Sequence, residues 1–188
     1  MASTVTTHIT ADEFWALSDR PDVRLELVDG EAVELPGAGG YHATLVLHIF
    51  DLVRAHIRVR DLGLLYPDAL TYLLQRNPDV LRIPDISFIS STDIPADWPP
   101  LGYVEVVPSL IIEVVSPGNS AAEIRRRIRD YIGAGVSMVW VIWPDDHSVS
   151  VHAETLNSIE LQSDDVLDGG DVLPGFSVRV ADLFDIAR

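Results

Sequence analysis

The chain has 188 residues, 47% of them hydrophobic, and 29 acidic against 13 basic side chains give it a formal charge of −16. It contains no cysteine, which excludes disulfides, thiolate metal sites and cysteine nucleophiles. The charge argues against a large exposed basic surface, but it is compatible with a local basic patch or a carboxylate-rich site that needs a divalent cation.

The length predicts a single domain spanning 1–188 with a core of its own. Thr10-Ala11-Asp12-Glu13 is a capping box and predicts a short helix carrying Phe14, Trp15 and Leu17. Two alternating runs, Val23–Val28 and Glu31–Leu35, flank Asp29-Gly30 and read as a β-hairpin. In the first run Leu25 and Leu27 share one face with Val23, while Arg24, Glu26 and Val28 share the other. From Tyr41 to about Arg58 the apolar residues Leu45, Ile49, Leu52, Val53 and Ile57 recur at helical spacing. Strands are expected at Ala69–Leu74, Val80–Ile83 and Asp85–Ile89, followed by a loop from Ser90 to Pro100.

Ser109–Val115 is a nearly unbroken β-branched run, the pattern of a buried strand. Ser120-Ala121-Ala122-Glu123 is a second capping box, and Gly135 marks the end of its helix. Val136–Trp143 reads as another buried strand, so strand, crossover helix and strand form a βαβ-like unit. Asp145–His147 turns the chain into a partner strand at Ser148–His152. Asp182-Leu183-Phe184 reads as a terminal helix.

Glu113 is the most informative residue. It interrupts an apolar strand, and a buried unpaired carboxylate costs several kcal/mol unless it holds a proton or meets a cation or strong donors. The residues leave two readings level: a metal ligand, or a core glutamate paired with an arginine. Asp85 alone reads as an ordinary turn residue after Pro84. On a strand beside Glu113 it would complete an oxygen site suited to Mg²⁺ or Mn²⁺.

All thirteen basic residues are arginines, so no titratable ammonium is available. Arg127 lies about 60° from Ile124 on its helix at ~100° per residue, at the margin of the inward stripe. It can reach the end of the Glu113 strand, or it can form an i, i+4 pair with Glu123. Arg125, Arg126 and Arg129 face away. By alternation Glu26 is expected to face solvent. His42, His48 and His56 are expected on neutral helix surface and lack the His-x-x-x-His spacing of helical zinc ligands. Ser116 has no Gly-x-Ser-x-Gly around it, and no P-loop or Gly-x-Gly-x-x-Gly is present.

One set of motifs extends from Thr10 to Phe184. It comprises Leu25-Glu26-Leu27-Val28-Asp29-Gly30-Glu31, His42, Pro84-Asp85-Ile86-Ser87, Ile112-Glu113-Val114-Val115-Ser116-Pro117, Tyr131 with Gly135-Val136, and Val139-Trp140-Val141-Ile142 with Pro144. In order and spacing it resembles the Uma-type family of "putative restriction endonucleases" in the PD-(D/E)XK nuclease superfamily. The resemblance implies an α/β (α+β mixed) fold, with a central mixed sheet flanked by helices and a nuclease core over about 10–184. It implies Asp85 and Glu113 as metal ligands for Mg²⁺ or Mn²⁺, Glu26 as an auxiliary acidic residue and DNA as substrate. The superfamily lysine lies two residues after the second acid, where this chain has Val115. In this family it commonly moves to the next helix, where this chain has Arg127. An arginine can neutralise developing charge but cannot give up a proton.

Two readings follow: a metal-dependent endonuclease, or a nuclease-fold binding module without catalysis. A hydrolase of a smaller phosphodiester ranks third. Met1–Thr10 lacks a positive cluster and an apolar core, and no apolar run approaches the ~20 residues of a membrane span, so a cytoplasmic protein is expected. Apolar strand edges make a homodimer a further expectation.

Overall fold

The computed structural model describes residues 8–17 and 24–186. Val23 lies outside them. Helix α1 (Ala11–Leu17) begins at the expected box: Glu13 accepts from the Thr10 N–H at 2.7 Å, and Thr10 Oγ1 accepts from the Glu13 N–H at 3.2 Å. Strands β1 (Leu25–Val28) and β2 (Glu31–Glu34) form the hairpin, with Val28 opposite Glu31. Asp29 and Gly30 have φ of 52° and 77°, the left-handed pair that matches the twist of a two-residue hairpin turn.

Helix α2 (Gly40–Arg60) comes next, followed by β3 (Gly63–Pro67), β4 (Tyr72–Gln75), β5 (Val80–Arg82), β6 (Ile86–Ser90) and β7 (Leu110–Val114). Helix α3 (Ala121–Ala134) carries the full capping box at Ser120 and Glu123, and ends at Gly135 with φ 96°. Strands β8 (Met138–Trp143), β9 (Ser148–Ala153) and β10 (Ser158–Leu161) follow. The chain closes with β11 (Val166–Asp168), β12 (Ser177–Arg179) and α4 (Val180–Leu183).

The central sheet has the order β10-β9-β8-β7-β6-β3. Only β7 and β8 run parallel, joined by α3 in the expected βαβ unit; the other pairs are antiparallel. The sheet is therefore mixed. A second sheet, β2-β1-β5-β4, stands beside it, and β11 pairs with β12.

Side-chain alternation along β7 separates two layers. Leu110, Ile112 and Val114 pack with Leu45, Val46, Ile49, Val53 and Ile57 of α2. Ile111 packs with Ile124, Ile128 and Tyr131 of α3. Burying each of these aliphatic side chains contributes up to roughly 1.5–3 kcal/mol relative to exposure. By the same alternation Glu113 projects toward α3. Among the described residues no helix is long and apolar enough to cross a membrane.

Glu26 departs from its expected exposure. It is only 1% exposed. The Leu27 face of β1 is covered by Ala11 and Phe14 of α1, and the Glu26 face meets arginines of β5 and α3. Both faces of this short strand are thus occupied.

Candidate active site

The β6–β7 register pairs Ile86 with Ile112. Extended by one residue beyond the start of β6, that register brings Asp85 level with Glu113 of β7. Both line a cleft of about 820 Å³ closed by the 36–40 loop, the start of α2, the 116–119 turn and the start of α3.

Asp85 Oδ2 accepts from the Val114 N–H at 2.7 Å. Its Oδ1 lies 3.2 Å from His42 Nε2. His42 Nδ1 is in turn 2.9 Å from Ser116 Oγ. The hydrogen bond that His42 makes to the Asp85 carboxylate holds the imidazole above its usual range, against the opposing effect of burial. His42 is thus not idle helix surface, whereas His48 and His56 tie α2 to the carbonyls of Asp182 and Pro174.

Glu113 is 7% exposed. Its Oε1 accepts from Arg127 Nη1 at 3.0 Å and from the Tyr131 hydroxyl. Arg127 Nη2 reaches Glu26 Oε2 at 3.0 Å, so one guanidinium spans two carboxylates. Arg127 thus turns inward, and its partners are Glu113 and Glu26 rather than Glu123. Glu26 also accepts from Arg82 Nη1 at 2.7 Å and from the Ile83 N–H at 2.8 Å. Arg82 in turn donates to Asp130.

Burial pushes the Glu113 carboxyl up to about 7. Arg127 pulls it down, the Asp85 charge pushes it up, and the Tyr131 bond and Glu26 add smaller opposing effects. Burial and the Glu113 charge also hold the Tyr131 hydroxyl well above its usual range, so it stays protonated and donates. A carboxyl raised in the folded state contributes stability that is full below its unfolded value of 4.5 and is lost as pH rises through about 7. Glu113→Gln removes this dependence. Its unfolding free energy, read from melts across this range, should gain on the parent's by on the order of 3 kcal/mol between about pH 4.5 and 7. A constant gap would mean that Arg127 keeps Glu113 ionised throughout.

Among the described residues no group of three or more His, Asp or Glu side chains is arranged to hold a metal ion. The donor set does fit a hard divalent cation of the Mg²⁺ type, which takes one or two carboxylates and fills its remaining positions with water and phosphate oxygens. Glu113 Oε2 has no hydrogen-bond partner among the described residues, in a cleft that also holds Asp85. Glu26, with three donors already on it, has little capacity left for an ion.

The sequence model of the family described as "Putative restriction endonuclease", Uma2, matches residues 11–181. The chain belongs to the Uma2 family. A crystal structure of a "putative nuclease belonging to DUF820" from Anabaena variabilis shares its fold, with a TM-score of 0.80 and 21% identity over 94% of this chain and 97% of that one. No curated protein matches. Uma2 membership and fold together describe a restriction-endonuclease-like protein, with its core built around the β6–β7–α3–β8 unit. Of the four residues singled out by the sequence, Asp85, Glu113 and Arg127 line one cleft, and Glu26 lies directly behind Arg127. His42, Ser116 and Tyr131 stand in the family motifs without an expected role at the site, and Arg82 carries no sequence signal.

Proposed function

We propose that this chain is a divalent-metal-dependent endonuclease that hydrolyses phosphodiester bonds of DNA. The observation that carries the reading is that Asp85, just before β6, and Glu113 of the adjacent β7 line one cleft with Arg127. Asp85 and Glu113 would hold Mg²⁺ or Mn²⁺, which when bound supplies an activated water and several kcal/mol of phosphate charge neutralisation. Asp85 is pre-oriented by the Val114 N–H, so little reorganisation is needed at the moment of reaction. Arg127 stands beside Glu113 as a permanent cation facing the charge that develops on phosphorus. It holds no removable proton and so acts on charge alone. Tyr131 and Glu26 fix the guanidinium from behind.

The cleft contains five carboxylates, Asp68, Asp85, Glu113, Asp145 and Asp146, against two guanidiniums, Arg24 and Arg127. A polyanion entering such a cleft is repelled unless cations accompany it. Nicking of supercoiled plasmid should therefore require Mg²⁺ or Mn²⁺ and stop in EDTA. Arg127→Met, which removes the charge at similar length, should lower kcat about 10²–10³-fold. Arg127→Lys keeps the charge but not the fork that ties Glu113 to Glu26, so it should melt lower yet still cut measurably. Unchanged cleavage by Arg127→Met would remove Arg127 from the chemistry.

The second reading, a nuclease-fold binding module without catalysis, is favoured by the arginine at the lysine position and by the acidic cleft. It expects no metal-dependent turnover from the parent protein on any nucleic acid.

A further inference from the structure

Asp85, Ser116 and His42 come from three separate places in the chain, yet they form one continuous line of hydrogen bonds. Ser116 Oγ meets His42 Nδ1 at 2.9 Å, and His42 Nε2 meets Asp85 Oδ1 at 3.2 Å. Ser116 is itself fixed by the turn after β7, where its N–H donates to Asn119 Oδ1 at 2.9 Å and its carbonyl accepts from the Asn119 N–H at 2.9 Å. The other Asp85 oxygen is taken by the Val114 N–H.

This geometry selects a tautomer. A carboxylate has no hydrogen to give, so the His42–Asp85 bond requires a proton on Nε2. A neutral ring then accepts at Nδ1 from the Ser116 hydroxyl, and a protonated ring donates from Nδ1 to the same oxygen, so Ser116 fixes the ring in either form. Ser116 thus acts on Asp85 through the ring without touching it.

We infer that Ser116 and His42 are positioning residues that lock the rotation of the Asp85 carboxylate for cation binding. This inference rests on Asp85 being a metal ligand, as proposed above. The lock is made by the chain's own residues, on the Asp85 oxygen that the Val114 N–H leaves free. Hydrogen-bond partners of liganding groups are typically worth about 10–100-fold in metal affinity.

The test is Mn²⁺ affinity measured by calorimetry on the full chain without nucleic acid, with melting curves as the folding control. His42→Ala should bind Mn²⁺ at least about 10-fold more weakly. His42→Gln keeps an N–H donor at the end of the side chain and should restore most of the affinity. Ser116→Ala should weaken binding in the parent background but have no further effect on top of His42→Ala, because its influence passes through the ring. With DNA present, the same variants should show the loss at sub-saturating Mn²⁺ and recover when the ion is raised.

Full Mn²⁺ affinity in folded His42→Ala, with binding abolished in Asp85→Ala, would overturn the lock and leave the metal site standing. Equal losses in His42→Gln and His42→Ala, or additive effects of the Ser116 and His42 changes, would also overturn it. A parent protein that binds no Mn²⁺ would overturn the metal reading, and the lock with it.

Discussion

Glu113→Gln should fold, melt at or above the parent at pH 7, and fail to cut DNA. The amide nearly matches the carboxylate in shape and can still accept from Tyr131 and Arg127 through its oxygen. It carries no charge, so the desolvation that pushes the parent carboxyl up to about 7 disappears. It is also a far weaker ligand for a hard cation than a carboxylate. Losing the several kcal/mol of charge stabilisation that a bound ion supplies corresponds to a rate loss on the order of 10³-fold or more. Asp85→Asn should behave alike in plasmid nicking, because either change removes one of the two carboxylates proposed to hold the ion. Glu113→Ala is the less clean variant, since it leaves the buried Tyr131 hydroxyl without an acceptor for its proton, at a cost of about 1–3 kcal/mol. A folded Glu113→Gln protein that nicks plasmid at the parent rate would refute the metal-dependent nuclease reading outright.

The features legible in the sequence were those encoded locally. The Ser120–Glu123 box and Gly135 mark both ends of α3, and the apolar run fixes β7 around Glu113. Strand β3 was missed because Gly63 and Pro67, at its two ends, read as loop residues. Strand β10 was missed because Ser158–Leu161 is short and largely exposed, with only Leu161 packed against the core. The site divides in the same way. Glu113 was conspicuous because its burial contradicts its charge. Arg127 sat at a stripe margin, where helical phase alone cannot decide whether it turns in or out; the positions of Glu26 and Glu113 decide it. Glu26 was misplaced because period-2 alternation tells which residues share a face but not what covers that face. His42 and Ser116 lie 74 residues apart, and only the approach of the start of α2 to the end of β7 brings them together. Chain-distant polar partners leave no periodic trace.

The largest stability effect is expected one layer behind the cleft. Glu26 is 1% exposed and Arg82 5%, and Glu26 accepts from Arg82, Arg127 and the Ile83 N–H. Removing one partner of a buried ion pair leaves the other charge uncompensated and costs about 3–5 kcal/mol. Glu26→Ala strips a carboxylate from two guanidiniums and should cost that much, lowering the melting temperature by roughly 6–20 °C for a chain of this size. Arg82→Met should fall in the same range, because Glu26 then depends on Arg127 and a single N–H. The double change Glu26→Met with Arg82→Met removes the pair together and should cost less than the sum of the two single changes by at least about 1 kcal/mol. Arg127 would keep Glu113, and Arg82's other partner, Asp130, is partly open to solvent. A Glu26→Ala protein that melts within about 2 °C of the parent but no longer binds Mn²⁺ would reverse this assignment. It would make Glu26 a ligand, rather than the counter-charge that aims Arg127 at the cleft.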